Sequence, residues 1–520
     1  MNQVQDEIAK HPDTSEVDQK ADTVIGNQVD AHLTLKDAFR YYKSAIVWSL
    51  IISNATIMES YDLILLKSFY AYPAFKKAYG EQLPDGTWSI PSRWQVGLSM
   101  SMNVGLIIGG LINGWISDRY SPRKVMVCCH VVLTGFIFIT FFATSVEVLL
   151  VGILLLSIPC GFFITSASSY VSEVSPTALK PYFTTYINLC WVIGHLIAAG
   201  VLAGMVNMNN QWSYRIPFAI QWIWPLPLAV ACMFAPESPW WLARKDRLVE
   251  AEASLRRLCS APEDVIDPRQ TLAMINATLR LEKETLRIQG GYLDCFKGTN
   301  LRRTEIAMVS WGCQILPGFV IQNYSTYFFT LAGLPAGNAF KMSVGNYSIA
   351  FVGTVLSWLM ISRYGRRTIY IAGLTAMLPI MFTIGLLDLA PDASRVRWAQ
   401  ASMLLIWFFV YSLSIGPVPF AIGTEVGASR LRTKTIALSR NTYYLLNIVN
   451  TVVAPYMLNP ANANLKGKAA FLPGALTVCM WIWAFFRLPE TKGMTPETLD
   501  HLFGNRVSTR RFVEEAKKYQ

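Results

Sequence analysis

The sequence predicts an all-α polytopic membrane protein with twelve transmembrane helices in two six-helix halves. Three observations predict it. The 520-residue chain is 52% hydrophobic and 15% charged, with a mean hydropathy of +0.33; a soluble chain carries about 25% charged residues. Apolar runs of roughly 20 residues recur, and about 20 are needed to cross roughly 30 Å of hydrocarbon. A short pattern also occurs twice. Glu173-Val174 with Leu179-Lys180 returns 252 residues later as Glu425-Val426 with Leu431-Arg432. An acid and a base at one spacing, each after a long apolar stretch, indicate a duplicated membrane unit.

Residues 1–44 are polar and mixed in charge, so they read as a disordered cytosolic tail without a cleavable signal. Spans 1–6 follow near 45–66, 95–116, 125–142, 147–170, 183–206 and 216–234, an N-terminal bundle over 45–236. The loop after span 1 contains Pro84-Asp85-Gly86, a turn signal. The segment 237–304 is too charged to span. Its stretch Asp246 to Leu258 mixes Arg, Glu, Leu and Ala, which favours short amphipathic helices on the membrane surface over a plain linker. Spans 7–12 lie near 305–330, 342–361, 368–388, 399–424, 434–458 and 468–488, a C-terminal bundle over 305–488. Residues 489–520 form a second cytosolic tail.

The net charge is +11. Its cations sit on one side of the predicted membrane: Arg119, Arg123 and Lys124; Lys180; Arg363, Arg366 and Arg367; Arg430, Arg432 and Lys434. The facing loops at 143–146 and 207–213 carry none. The positive-inside rule then puts both termini in the cytosol, and the charge reads as topology rather than nucleic-acid binding. The nine cysteines show no metal-ligand or redox spacing and lie mostly in apolar runs. No nucleotide-binding loop, metal cluster or nucleophile–base pair stands out. The expectation is a protein that is not an enzyme and has no cofactor and no metal. It would be a monomer in the lipid bilayer.

Further markers support the duplication. Ser117-Asp118-Arg119-Tyr120-Ser121-Pro122-Arg123-Lys124 follows span 2, and Ser362-Arg363-Tyr364-Gly365-Arg366-Arg367 follows span 8. Pro236-Glu237-Ser238 ends span 6, and Pro489-Glu490-Thr491 ends span 12. On these residues the chain resembles the sugar porter family of the major facilitator superfamily, over about 45–500. Ser121 and Pro122 replace the family's usual glycine and arginine. A narrower resemblance is to fungal maltose and α-glucoside permeases. It rests on Met58-Glu59-Ser60-Tyr61-Asp62, Leu189 through Gly194, Gln221 through Ala229, Ala235 through Leu242, Tyr324 through Phe328, and Leu431 through Thr435. The resemblance implies proton-coupled import of a disaccharide at the plasma membrane. Three positions depart from it: Leu106 where those permeases carry an acid, His195 where they carry glutamine, and Lys180-Pro181 in place of an arginine and its follower.

Glu59 and Asp62 are the proton-coupling candidates. They lie three residues apart in an apolar span and share a helix face. A carboxylate in hydrocarbon is costly and faces a cavity or a partner. The resemblance points to Asp62, at the family's helix 1 aspartate, and puts Ile153 where its arginine partner often stands. Arg440 could act electrostatically instead, or belong to the cytosolic cations. A sugar needs amide partners and aromatic platforms. Span 7 offers Gln314, Gln322, Asn323 and Tyr324; span 5 offers Asn188, Trp191 and His195; span 11 offers Asn441, Asn447 and Asn450. The resemblance matches Gln314 to the family's helix 7 glutamine and Phe420 to its helix 10 tryptophan. Each amide is equally compatible with helix–helix hydrogen bonding. Gly416-Pro417-Val418-Pro419 could bend span 10.

The loop charges Asp118, Arg119, Arg123, Glu173, Lys180, Glu237, Arg363, Arg366, Glu425, Arg432 and Glu490 are candidates for a cytosolic gate that latches one half against the other. The alternative is charge that only sets topology. Three functions stay open: a proton-coupled importer of an α-glucoside, a facilitator or exporter of another small polar metabolite, and a sugar receptor that does not transport.

Overall fold

The computed structural model describes residues 33–517 apart from 85, 177–178, 209, 263–264, 289–291, 391–393, 429–430, 493 and 495. Within them the chain is helical but for one two-stranded hairpin, Glu81–Gln82 against Trp88–Ser89, in the loop after span 1. Asp85 of the expected turn lies outside the described residues, as does most of the N-terminal tail.

Ten segments among the described residues are long and apolar enough to cross a membrane, and they are spans 1–6, 8, 9, 10 and 12. Spans 7 and 11 are the informative exceptions. Span 7 is broken into Gly298–Gly312, Phe319–Gln322 and Ser325–Leu331. Span 11 is one helix of 27 residues, Arg432–Leu458, diluted by Arg440, Asn441, Asn447 and Asn450. Polar and broken helices persist at membrane depth where they face protein or a cavity rather than lipid. With these two, twelve helices lie at membrane depth, six in each half.

Other breaks have local causes. Span 1 divides at Asn54 into Lys43–Ser53 and Ala55–Phe69. Span 6 divides into Trp212–Ile220 and Pro225–Phe234, and span 10 into Ser394–Leu413 and Val418–Val426. Pro225 and Pro417 stand at these breaks, where the missing N–H cannot continue the ladder. In span 7 Pro317 stands at the break in the same way, and packing adds to it. Gly318 (φ +156°) is wedged so that a β-carbon there would lie 2.5 Å from the Trp407 ring and 2.6 Å from Met381.

The duplication is visible in the helices. Span 2 is Ser92–Arg119 and span 8 is Ala336–Arg363, each of 28 residues. Both ends are offset by the 244 residues that separate Arg119 from Arg363. Span 3 (Pro122–Phe141) and span 9 (Arg366–Leu387) begin at the same offset. Small residues let neighbours approach closely. Gly105 and Gly109 of span 2 press on Ser157, Ile158 and Gly161 of span 4 (Val146–Val174). Gly194 of span 5 (Lys180–Met205) presses on Ile57 and Ser60 of span 1.

The segment between the bundles forms Pro239–Arg244, Leu248–Leu258 and Pro268–Ile288. Their apolar faces (Trp241, Leu242, Leu255, Leu272, Ile275, Leu279) bury one another. They also dock on the first half: Ser254 donates to the Glu237 carbonyl at 2.5 Å and Arg257 to the Phe234 carbonyl at 2.9 Å. The helix Pro496–Gly504 packs on the start of span 7, where Arg303 meets Asp500 at 2.5 Å.

The halves meet at the end of the molecule opposite the termini. Asn459 donates to the Ile90 carbonyl at 3.0 Å, Ser92 bonds Asn462, and Tyr72 meets Phe340 edge-on at 5.4 Å. Deeper, Asn447 donates to Asn103 at 3.0 Å, and Ser68 lies 3.3 Å from Thr326. One buried apolar cluster runs through both halves here (Leu65, Phe69, Tyr324, Phe328). A second, nearer the termini, is confined to the first half (Ile52, Val125, Leu133, Phe163).

Candidate functional site

Span 1 carries the first part of the site. From Ala55 to Phe69 it is almost wholly buried, so its polar residues have no water face to choose. Glu59 and Asp62 are 3% and 5% exposed. Asp62 Oδ1 accepts from Gln221 Nε2 at 2.5 Å. Gln221 sits in the 3-10 turn Gln221–Ile223, at the break in span 6. A cavity of about 20 Å³ lies beside the pair, lined by Met102 and Ile153 among others, room for about one water. Ile153 therefore stands where the resemblance put it, and Gln221 supplies the partner that span 4 does not. Asp62 Oδ2, Glu59 Oε2 and Gln221 Oε1 are buried without a partner among the described residues, a costly arrangement. Across the seam, the charge of Arg440 on span 11 acts on Glu59.

The second part is amide and aromatic. Gln314 Nε2 donates to the Gly416 carbonyl at 2.7 Å, a carbonyl freed by the break in span 10. This expected sugar ligand thus spends one donor on helix 10. Gln322 is 2% exposed, and neither of its amide atoms has a partner among the described residues. Asn346 on span 8 and Asn450 on span 11 are in the same state. Asn323 and Asn188 are half-buried. Trp191 meets His195 edge-on at 5.8 Å, and His195 reaches across to Tyr347 of span 8 at 5.2 Å. Phe420 packs on Trp311 at 4.6 Å, and Trp311 on Tyr443 at 6.3 Å. Glu59, His195 and Tyr324 therefore meet residues of the opposite half (Arg440, Tyr347, and Tyr70 with Lys67), whereas Asp62 is packed within the first half and Gln314 and Phe420 within the second.

Asn441 is not brought there. It is exposed, on one stripe with Leu445 (64% exposed) and Val449 (57%), at i, i+4 and i+8. The inward stripe of span 11 is Arg440, Asn447 and Thr451, and the last two bond Asn103. Two site residues were missing from the sequence-derived set. Gln221 is one. Lys67 is the other: it is 8% exposed, its Nζ lies 5.8 Å over the Tyr324 ring, and its charge acts on His195. Its signal was a lysine in an apolar helix that continues past it.

The loop charges form matching devices in the two halves. Glu173 bonds the Ser238 hydroxyl and pairs with Arg244 at 2.8 Å. Glu425 accepts from Thr491 Oγ1 at 2.5 Å and pairs with Arg366 at 2.9 Å. The acid of the repeated pattern thus grips the hydroxyl of the Pro-Glu-Ser/Thr marker in each copy. Glu490 accepts from the backbone N–H of Arg366, Arg123 lies 3.6 Å from Glu237, and Lys492 Nζ donates to the Arg363 carbonyl at 2.7 Å. Arg119 is exposed. The side chains of Asp118, Lys180 and Arg432 lie outside the described set. Among the described residues each of these pairs lies within one half, where it clasps the loop after the sixth span to the rest of that half. Arg366→Ala should cost about 1–3 kcal/mol, because Glu425 is partly buried and left with fewer donors. Arg93→Ala, at a pair exposed by 70% and 62%, should cost no more than about 1 kcal/mol. Thermal unfolding of both variants in detergent checks the contrast.

The family model for sugar (and other) transporters matches residues 48–503. The chain is 38% identical over 503 residues to a general alpha-glucoside permease of Saccharomyces cerevisiae, covering 96% of this chain and 82% of that one. It is 38% identical over 497 residues to a maltose permease of the same yeast, covering 94% and 81%. The inward-open xylose transporter XylE of E. coli superposes with a TM-score of 0.70 at 19% identity, over 88% of this chain and 99% of that one. Its partially occluded inward-open form gives 0.68 at 17%, over 86% and 100%. At these identities the structures speak for the fold.

Proposed function

Since the chain belongs to the sugar (and other) transporter family of the major facilitator superfamily, we propose that it is a proton-coupled importer of an α-glucoside such as maltose. It is a multi-pass membrane transporter and not an enzyme. One observation carries the substrate class: near-full-length likeness to permeases named for α-glucosides and maltose. The protein works in the cell membrane with both termini cytosolic, by alternating access. The halves joined at the far end correspond to the state that releases sugar to the cytosol.

The division of labour follows from the chemistry. Asp62 and Glu59 take up the proton, because a buried carboxylate is far cheaper to keep neutral than charged. Gln221 holds Asp62 in place in either protonation state, since Oδ1 accepts in both. Gln322, with two unspent amide groups, and Gln314, Asn323 and Asn188 bond the sugar hydroxyls. Trp191, Tyr324 and Phe420 offer faces to the apolar side of the ring. His195 lies between these sets. Glu173, Glu237, Glu425, Glu490 and their arginines keep each half rigid while the halves rock.

Labelled maltose and a panel of other sugars, offered to cells lacking their own carriers, test the reading. Maltose should accumulate, faster at acid external pH, and a protonophore should abolish accumulation. Accumulation indifferent to the protonophore removes the proton coupling. No uptake of any sugar removes import itself. The second reading, a facilitator or exporter of another small polar metabolite, draws on Lys67 beside His195, two nitrogen bases that a neutral disaccharide does not require.

A further inference from the structure

The helices of spans 3 and 9 are copies that begin 244 residues apart, yet their N-termini are capped differently. Before span 9 stands Gly365. There Glu490 accepts from the backbone N–H of Arg366 at 2.7 Å and of Arg367 at 3.2 Å. A β-carbon at Gly365 would collide with that carboxylate, so the glycine is what admits it. Before span 3 the same position is Ser121, and the counterpart of Glu490 is Glu237. Glu237 is turned aside. It lies 3.6 Å from the Arg123 guanidinium, and its Oε1 is buried without a partner among the described residues. The backbone N–H groups of Arg123 and Lys124 have no acceptor among the described residues.

Ser121 makes no capping bond, is 4% exposed, and its Oγ has no partner among the described residues. It lines a cleft of about 380 Å³ between the loop after span 2 and the helices that follow span 6. Lys124 lines it beside Arg247, which pairs with Glu250, Arg123, which faces Glu237, and Arg257, which bonds the Phe234 carbonyl. A helix N-terminus with unspent N–H groups, a buried hydroxyl and a neighbouring lysine is suited to an oxyanion. We propose that this cleft binds a phosphate-bearing anion, held by the start of span 3, Ser121 and Lys124. In the second half the protein's own carboxylate occupies the equivalent place; in the first half a ligand from outside the chain does. A lipid headgroup and a soluble phosphate ester share this chemistry.

The test uses the full-length protein and its melting midpoint. Inorganic phosphate and glucose 6-phosphate are titrated against chloride at matched ionic strength. Nanodiscs with and without phosphatidylinositol 4-phosphate form the lipid arm. A saturable rise over chloride is expected. Lys124→Glu should weaken the apparent affinity by about tenfold or more. Ser121→Gly restores the arrangement of the second half and should abolish the effect, because Glu237 can then cap the helix. Both variants should keep sugar uptake. A larger response in the lipid arm upholds the site and assigns it to a headgroup; a larger response to the soluble probes upholds it and assigns it to an ester. If no probe exceeds chloride, or if both variants keep the full response, the site does not exist.

Discussion

An Asp62→Asn protein is expected to reach the membrane, bind sugar and fail to concentrate it. Asparagine keeps the shape and the Oδ1 acceptor that Gln221 engages at 2.5 Å. It cannot take up and release a proton. The hydrogen bond loses its charge assistance, a change of about 1 kcal/mol, too small to unfold a bundle that buries span 1 on all sides. Sugar accumulation should therefore fall to equilibrium across the membrane, while exchange of labelled for unlabelled sugar continues. The measurement is the pair of assays in one vesicle preparation with an imposed proton gradient. Gradient-driven accumulation that survives unchanged would remove Asp62 from the coupling site and leave Glu59 as the candidate.

Gly194→Val should have the opposite character, destroying the fold rather than the cycle. A β-carbon at Gly194 would overlap Ser60 Oγ and the Ile57 carbonyl of span 1. Backbone cannot yield as a side-chain tip can, so spans 1 and 5 must part. Overpacking of this kind costs about 1–3 kcal/mol and sometimes more, and valine adds two further carbons. Span 1 would take Glu59 and Asp62 with it. Gly200→Val is the control, since nothing lies within 4 Å of a β-carbon there. Detergent-extracted yield and melting midpoint should drop for the first variant only. Equal yields for both would mean that the two helices are not packed as described.

The fold was legible because its signals are local. Spans 2 and 8 announce themselves by length and by the charged loops that end them. Their equal register, 244 residues apart, was already present in Arg119 and Arg363. Membrane depth was legible too, and helix continuity in part: span 10 breaks at the Gly416-Pro417 that its sequence marks, and span 7 at Pro317-Gly318. The packing of Gly318 on Trp407 and Met381 lies far along the chain and was not legible. Lys67 stands just past the expected end of span 1 at 66, whereas the helix continues to Phe69. Gln221 needed a partner 159 residues away. Asn441, Asn447 and Asn450 could not be ranked from the sequence, because helical phase has no origin until a neighbour supplies one, and Asn103 supplies it here. The acids at 173 and 425 were rightly seen as equivalent. Their described partners, Ser238 and Thr491, lie beyond the sixth span of each half, at a distance that no short pattern contains.

The docking of the helices after span 6 bears on how the protein is made. Ser254 and Arg257 fasten them to the Glu237 and Phe234 carbonyls, residues already translated when they emerge. The first bundle can thus finish its own cap while span 7 is still in the ribosome. Domains generally fold as units in order of synthesis, and this one would wait for its duplicate as a completed piece. A gene divided after the codon for Ile288 should accordingly yield two polypeptides that find each other in the membrane. A gene divided after the codon for Phe234 should leave the first polypeptide uncapped and short-lived.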